Sequence, residues 1–363
     1  MSPCAPRWSM TPDVAPKANL QWIQALRGLA ALMVLFFHMR PHWDLAPLLA
    51  VTGAATRWGF SGVDIFFALS GFVVYRSAQR TIPTKGIWPF ARKRLARIYL
   101  GYWPVLVLIV LLTIFVYHSS LPTGKKMLFS TLLLYPNIWD NWLAPAWSLT
   151  MEVYFYVWIA LITLMPARHQ LAAICCAMAV LLVWGVGWLV GDPARVFQGQ
   201  QPLRYALTGL GLEFLAGALI ARAYDHRAWV FQNQNARTTA PLCAVLIAAG
   251  LALGTTSPYF DRVEVMRAAS FGVVGVSALM LALMLEQTRF APPAWLVAVG
   301  DASYSPYLLH TVLLDFSGRL RGKWGLTSPD ALLAFLLALP VVIVLLSLLW
   351  YRWVEKSTLK LAS

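Results

Sequence analysis

Apolar runs of about twenty residues recur along this chain, separated by short basic or Pro/Gly-rich connections. That length is what an α-helix needs to cross ~30 Å of hydrocarbon, so the pattern predicts an all-α fold, a polytopic transmembrane helical bundle. About ten spanning helices are expected, over 20–38, 58–78, 98–117, 146–165, 171–190, 203–222, 240–256, 265–286, 294–316 and 331–352. A weaker segment from Met127 to Pro136 is too short to cross and is expected as a non-spanning piece. Only 12% of the 363 residues are charged, where a soluble domain carries about a quarter, which excludes an ordinary soluble enzyme.

The net charge of +14 does not imply nucleic acid, because no basic patch with interleaved aromatics lies on a soluble domain. In a membrane protein basic loops face the cytoplasm and its anionic leaflet. The segment from Arg76 to Arg97 holds seven Lys/Arg and no acid, so it is expected as a cytoplasmic loop. With ten spans, both termini then lie inside, along with the links near Arg168, Arg222–Arg237 and Arg289. The loop with Arg319, Arg321 and Lys323 falls outside, against the rule.

Residues 1–18 lack the charged start, short apolar core and cleavage site of a signal peptide. They are expected as a mobile cytoplasmic tail before a retained first span. Residues 19–354 read as one membrane-embedded domain and 355–363 as a second cytoplasmic tail. The four cysteines, Cys4, Cys175, Cys176 and Cys243, form neither a disulfide framework nor a metal-ligand spacing, so no metal and no permanently bound cofactor are expected.

Ionisable groups at membrane depth are costly and mark pairing or chemistry. Arg27 and His38 are the ones in the first span, eleven residues and about 16 Å apart along a helix. On the expected topology Asp64, Glu152 and His310 share the outer layer with His38, whereas Arg27 sits nearer the inner third. Arg92, Arg94 and Arg97 stand at the cytoplasmic mouth, where guanidinium forks suit the phosphates of a carrier such as coenzyme A. A carboxylate beside a histidine orients the ring for general-base work on a hydroxyl. Each residue also has a plainer reading. The arginine block serves as a topology signal, His38 as an interfacial residue, and Asp64 as a favourable charge near a helix N-terminus. Arg204 and Glu213 read as a structural ion pair.

In order along the chain, Leu26-Arg27-Gly-Leu-Ala-Ala-Leu with His38, Gly62-Val-Asp64-Ile-Phe-Phe-Ala-Leu-Ser70-Gly71-Phe, Phe90-Ala-Arg92-Lys-Arg94-Leu-Ala-Arg97-Ile, Trp147-Ser148-Leu-x-x-Glu152, Phe214-Leu-Ala-Gly217 and Tyr304-Ser-Pro-Tyr-Leu-Leu-His310 resemble the motifs of the acyltransferase-3 family. These are integral-membrane O-acyltransferases of bacterial surface polysaccharides, Nod factors and some macrolides. The resemblance covers Leu20 to about Trp353. It implies an acyl-CoA donor, usually acetyl-CoA, used from the cytoplasmic side of the bacterial inner membrane. The acceptor implied is a hydroxyl of a carbohydrate, a lipid-linked glycan or a similar partner. Arg27 and His38 match the family's essential pair, with Asp64 or Glu152 orienting His38. Arg92, Arg94 and Arg97 match its basic block for the donor, and Ser148, Tyr304 and His310 fall on the acceptor side. Nothing in the sequence matches the extra span and SGNH domain of some members, so activity is expected to rest on the membrane part. Direct transfer and an acyl-histidine relay both fit this pattern. A proton-coupled transporter of an anionic or sugar solute is the alternative from another class, although no inverted repeat accompanies it.

Overall fold

A chain in hydrocarbon has to satisfy its own backbone polar groups, so each long apolar run closes into a helix. The computed structural model describes residues 20–43, 57–136, 141–191, 206–226, 233–256 and 264–360, and every regular element among them is helical. Helix α1 is Gln21–Trp43. A 3-10 turn, Trp58–Phe60, leads into α2, Ser61–Lys85. Then come α3, Ile87–Leu111, the short α4, Lys125–Leu133, α5, Ala146–Leu164, and α6, Ala167–Gly191. Helices α7, Gly211–Asp225, and α8, Asn233–Thr256, follow. A one-turn α9, Glu264–Arg267, passes through a π-turn, Ala268–Gly272, into α10, Val273–Leu285. The chain ends with α11, Ala294–Asp301, α12, Tyr304–Trp324, α13, Pro329–Trp350, a π-turn, Tyr351–Glu355, and α14, Lys356–Lys360.

Among the described residues eight helical stretches are long and apolar enough to cross a membrane, which makes this a multi-pass membrane protein. They are Gln21–Met39, Trp58–Lys85, Ile87–Val116, Ala146–Leu164, Ala167–Gly187, Thr238–Thr256, Val265–Leu285 and Pro329–Lys360. The expected spans 203–222 and 294–316 take other forms. The first is represented by the 15-residue α7, and Arg204 lies outside the described residues. The second breaks between α11 and α12, and α12 runs on to Trp324. Arg319, Arg321 and Lys323 therefore sit on a helix rather than in a loop.

The segment from Arg76 to Arg97 is also helical rather than a loop. It consists of the ends of α2 and α3, and the turn between them is Gly86 at φ 84°. A side chain at that φ would be strained, so glycine makes the reversal possible. The Met127–Pro136 segment holds the nine-residue α4, as its length predicts. Donors on α3 satisfy its last carbonyls: Tyr102 Oη to Thr131 O at 2.7 Å, Trp103 Nε1 to Leu132 O at 3.1 Å and Tyr99 Oη to Leu133 O at 2.8 Å. At the other end of the bundle the Glu286 carboxylate accepts the N–H groups of Trp22 and Ile23 at 2.6 and 3.1 Å, closing the N-terminus of α1. The expected 355–363 tail begins inside the bundle, because Glu355 is buried and α14 packs back on α3.

Helix α2 is the hub, packed against α1, α3, α5, α7 and α10. A Cβ on Gly71 would collide with the Phe214 carbonyl of α7, and one on Gly217 with the Ala68 carbonyl of α2. The two backbones therefore touch directly, the close approach that small residues permit between membrane helices. Gly62 meets Ala30 of α1 in the same way, and Gly275 of α10 meets the Asp64 carbonyl. Replacing Gly217 by Ala should cost about 1–3 kcal/mol, the scale of overpacking, and lower the melting temperature in detergent. Gly187→Ala, with no neighbour within 4 Å of its added carbon, should leave that temperature unchanged or raise it.

Candidate active site

Two cavities meet inside the bundle. The outer one, about 1040 Å³, is lined by Arg76, Arg80, Lys85, Arg92, Lys93, Arg94 and Arg97 from the ends of α2 and α3 and, among the described residues, by no carboxylate. Arg76 is paired with Asp225 at 2.8 Å. Beyond lies an inner cavity of about 120 Å³. Val73, Arg94 and Arg97 line both, so they form the neck between them.

The inner cavity collects Arg27 from α1, Ser70 from α2, Ser148, Glu152 and Tyr156 from α5, and Tyr304 and Tyr307 from α12. Glu152 accepts hydrogen bonds from Tyr156 Oη at 2.7 Å and Ser70 Oγ at 3.1 Å. Glu355, buried beyond the wall, accepts one from Ser305 Oγ. Among the described residues none of Arg27, Arg94 and Arg97 has a carboxylate oxygen within 4 Å. Arg27 bonds only one turn back along its helix, to Gln24 Oε1 at 3.2 Å. Arg94 Nε is buried and has no hydrogen-bond partner among the described residues. Such a donor costs about 1–3 kcal/mol until an acceptor reaches it, so the neck is built to take an anion.

Tyr307 closes the far end. Its hydroxyl lies 2.6 Å from Ser148 Oγ, which itself donates to Pro145 O at 2.9 Å. The Tyr307 hydroxyl also reaches Pro145 O at 3.5 Å, so either oxygen of the pair can donate to the other. One side of the Tyr307 ring meets Phe66 edge-on at 5.6 Å, and the ring of His310 lies 6.1 Å away. Behind that wall His310 Nε2 stands 3.3 Å from His38 Nδ1. Neither histidine lines either cavity.

The expected outer layer of two histidines and two carboxylates is thus divided three ways. The histidines meet each other. Glu152 instead joins the arginines, because α5 turns it toward Ser70 and Arg27. Asp64 is wholly buried and held by Arg267, with Nε to Oδ1 at 2.8 Å and a terminal nitrogen to Oδ2 at 2.7 Å. Both its oxygens are engaged, so it does not orient His38. The link between them is aromatic: Arg267 stacks on Phe60 at 3.7 Å, Phe60 on Phe37 at 4.8 Å, and Phe37 meets the His38 ring at 5.1 Å. Tyr304 is part of the inner wall, its hydroxyl tied to Ile98 O at 2.8 Å and its ring pressed on Gly101. Arg92 is exposed in the outer cavity, apart from Arg94 and Arg97 at the neck. Glu213 is buried against Gly272 of the π-turn.

Arg267, Tyr156 and Glu355 are not among the expected site residues, and Ser70 and Tyr307 stand only inside the family-like motifs without a role of their own. Arg267 carried a usable signal, a charge inside the expected 265–286 span. Glu355 carried none, since it follows an apolar run and precedes Lys356 like any interfacial residue. No group of three potential metal ligands occurs among the described residues.

This is a multi-pass helical membrane protein with an internal cationic cleft that opens at its basic end. The family model described as an acyltransferase domain matches residues 20–351, and the chain belongs to that acyltransferase-3 family of enzymes. It is 24% identical over 372 residues to the acyltransferase MdmB of Streptomyces mycarofaciens, covering 89% of this chain and 88% of that one. It is 26% identical to the exopolysaccharide production protein ExoZ of Rhizobium meliloti, with 79% and 86% covered. The peptidoglycan O-acetyltransferase OatA of Listeria monocytogenes is 24% identical over 81% of this chain, which spans 49% of OatA's length. No solved structure matches.

A buried pair broken on one side leaves an uncompensated charge, at a cost of about 3–5 kcal/mol. Arg267→Ala should therefore lower the melting temperature sharply, and adding Asp64→Leu should recover part of the loss in a thermal-shift measurement.

Proposed function

We propose that this acyltransferase moves an acyl group, acetyl being the first candidate, from acyl-CoA to a hydroxyl of a carbohydrate or lipid-linked glycan. The observation that carries this reading is the shared neck: Arg94 and Arg97 border both cavities, and Arg94 keeps a buried donor unpartnered. A carrier with several phosphates matches a cavity whose described charged lining residues are all cations. Its pantetheine arm is slender enough to pass that neck toward Arg27.

On this reading the basic end faces the cytoplasm of a bacterium, with both termini inside, because Lys and Arg are retained on that side. The thioester is carried past Arg27 to the wall of Phe66 and Tyr307, and movement of those rings admits it to His38. His38 takes the proton of the acceptor hydroxyl as the oxygen attacks the thioester carbonyl. Arg27 and the neck arginines balance negative charge on the donor, and Arg27 is placed to stabilise the oxyanion if the carbonyl stops beside it. Glu152, held by Tyr156 and Ser70, sets the charge of the inner cavity and keeps Arg27 from being occluded by a direct ion pair.

Purified protein in detergent or nanodiscs should release free CoA thiol from acetyl-CoA when a hydroxyl acceptor is supplied. Proton-coupled solute uptake without thiol release would make it a carrier instead. His38→Ala should reduce turnover by roughly 10²–10⁴-fold, the scale of a lost general base, while leaving the melting temperature near wild type. Arg94→Ala with Arg97→Ala should raise KM for acyl-CoA by about 10²–10⁴-fold, from two charge-assisted hydrogen bonds worth ~1.5–3 kcal/mol each. An unchanged KM in that double variant would remove the docking role.

A further inference from the structure

We infer that His310 is a positioning residue for His38, and that it leaves the Nε2 atom of His38 as the basic nitrogen. The inference rests on the acyl-transfer reading above and assigns His310 to orienting the base in place of a carboxylate.

Carbonyl oxygens can only accept hydrogen bonds. His310 Nδ1 lies 3.1 Å from Pro306 O, one turn back on α12, so that nitrogen carries its hydrogen. A neutral imidazole has one N–H, so His310 Nε2 presents a lone pair. That lone pair faces His38 Nδ1 at 3.3 Å. The same His38 nitrogen lies 2.9 Å from Val34 O, one turn back on α1. Both neighbours of His38 Nδ1 are acceptors, so it is the donor, and its hydrogen is shared between them. The lone pair of His38 is then on Nε2. The opposite tautomer would set a lone pair against the Val34 carbonyl and is disfavoured.

Among the described residues no carboxylate competes for the orienting role. Asp64 is engaged on both oxygens by Arg267, and Glu152 accepts from Ser70 and Tyr156 in the inner cavity. The positions of the rings are held as well. His310 is buried at 1% exposure on α12, and the half-buried His38 has Phe37 edge-on to its ring. The backbone bond to Val34 alone would set a tautomer. The second acceptor, on another helix, sets the direction in which the ring plane faces.

The reaction balances with these protonation states. The acceptor O–H gives its proton to His38 Nε2, the oxygen forms a C–O bond to the thioester carbonyl, and the C–S bond breaks. The sulfur leaves as thiolate and takes the same proton from Nε2, giving the ester and free CoA thiol. Throughout, His38 Nδ1 keeps its hydrogen between Val34 O and His310 Nε2. A neutral acceptor holds the imidazolium less firmly than a carboxylate would, which favours passing the proton on.

Two measurements test this. In ¹⁵N-histidine-labelled protein at about pH 8, above the ordinary imidazole pKa, the resonances lost in His38→Asn should show a protonated Nδ1 and an unprotonated Nε2. The reverse assignment overturns the proposal, whatever the enzyme's activity. In thiol-release kinetics His310→Ala should lower kcat roughly 10–100-fold, as removal of an orienting partner of a histidine does, with KM for acyl-CoA unchanged. His310→Gln, whose amide oxygen can accept in place of Nε2, should recover most of that loss. Wild-type kcat in His310→Ala, or a His310→Gln variant no better than Ala, would overturn it. If wild type released no thiol with any hydroxyl acceptor, the acyl-transfer reading would fail, and the resonance assignment would still decide the tautomer.

Discussion

Helices in a membrane gain nothing from leaving water when they meet, so close packing and polar bridges have to hold them together. In this protein that requirement falls on α2. Its glycines, and those facing it, let carbonyls of neighbouring helices come within contact of bare backbone at Gly62, Gly71, Gly217 and Gly275. Contacts this close allow little sliding or rotation, because a shift of one residue would set side chains where only hydrogen fits. The register of α2 is thereby set against α1, α7 and α10 together. That register puts Ser70 over Glu152, Asp64 against Arg267 and Val73 at the neck between the cavities.

Two kinds of buried guanidinium follow, and they differ in what surrounds them. Arg267 is satisfied by two carboxylate oxygens and an aromatic face, so its charge is neutralised where it stands. It acts as a brace that carries the start of α10 and the aromatic stack under His38. Among the described residues Arg27, Arg94 and Arg97 have no carboxylate oxygen within 4 Å, and Glu152 and Glu355 are held by hydroxyl groups instead. The first arrangement is complete without a ligand. The second has a positive balance and an unpartnered donor, which an anionic donor substrate would complete on the proposed reading.

Much of this site was legible as residue types at membrane depth. Arg27, His38, Glu152 and His310 stand out because an ionisable group in an apolar run needs a reason. Their grouping was less legible. Depth along a helix can be counted from sequence, but the direction a side chain takes around each axis depends on which neighbours pack against it. Counting by depth set Glu152 beside the histidines, although α5 turns it to Arg27. It also set Asp64 beside His38, when the partner was an arginine 203 residues further along the chain.

The amino-acid sequence alone settled that this chain is an all-α membrane protein of the acyltransferase type, because run length, sparse charge and ordered motifs are local properties. Tertiary structure decided which charge faces which. It paired Asp64 with Arg267, opened the neck between Arg94 and Arg97, and brought two imidazoles from helices 272 residues apart into contact. Those outcomes depend on how closely rigid helices approach one another and at what rotation. Both are set by packing among many residues at once, so no single stretch of sequence carries them.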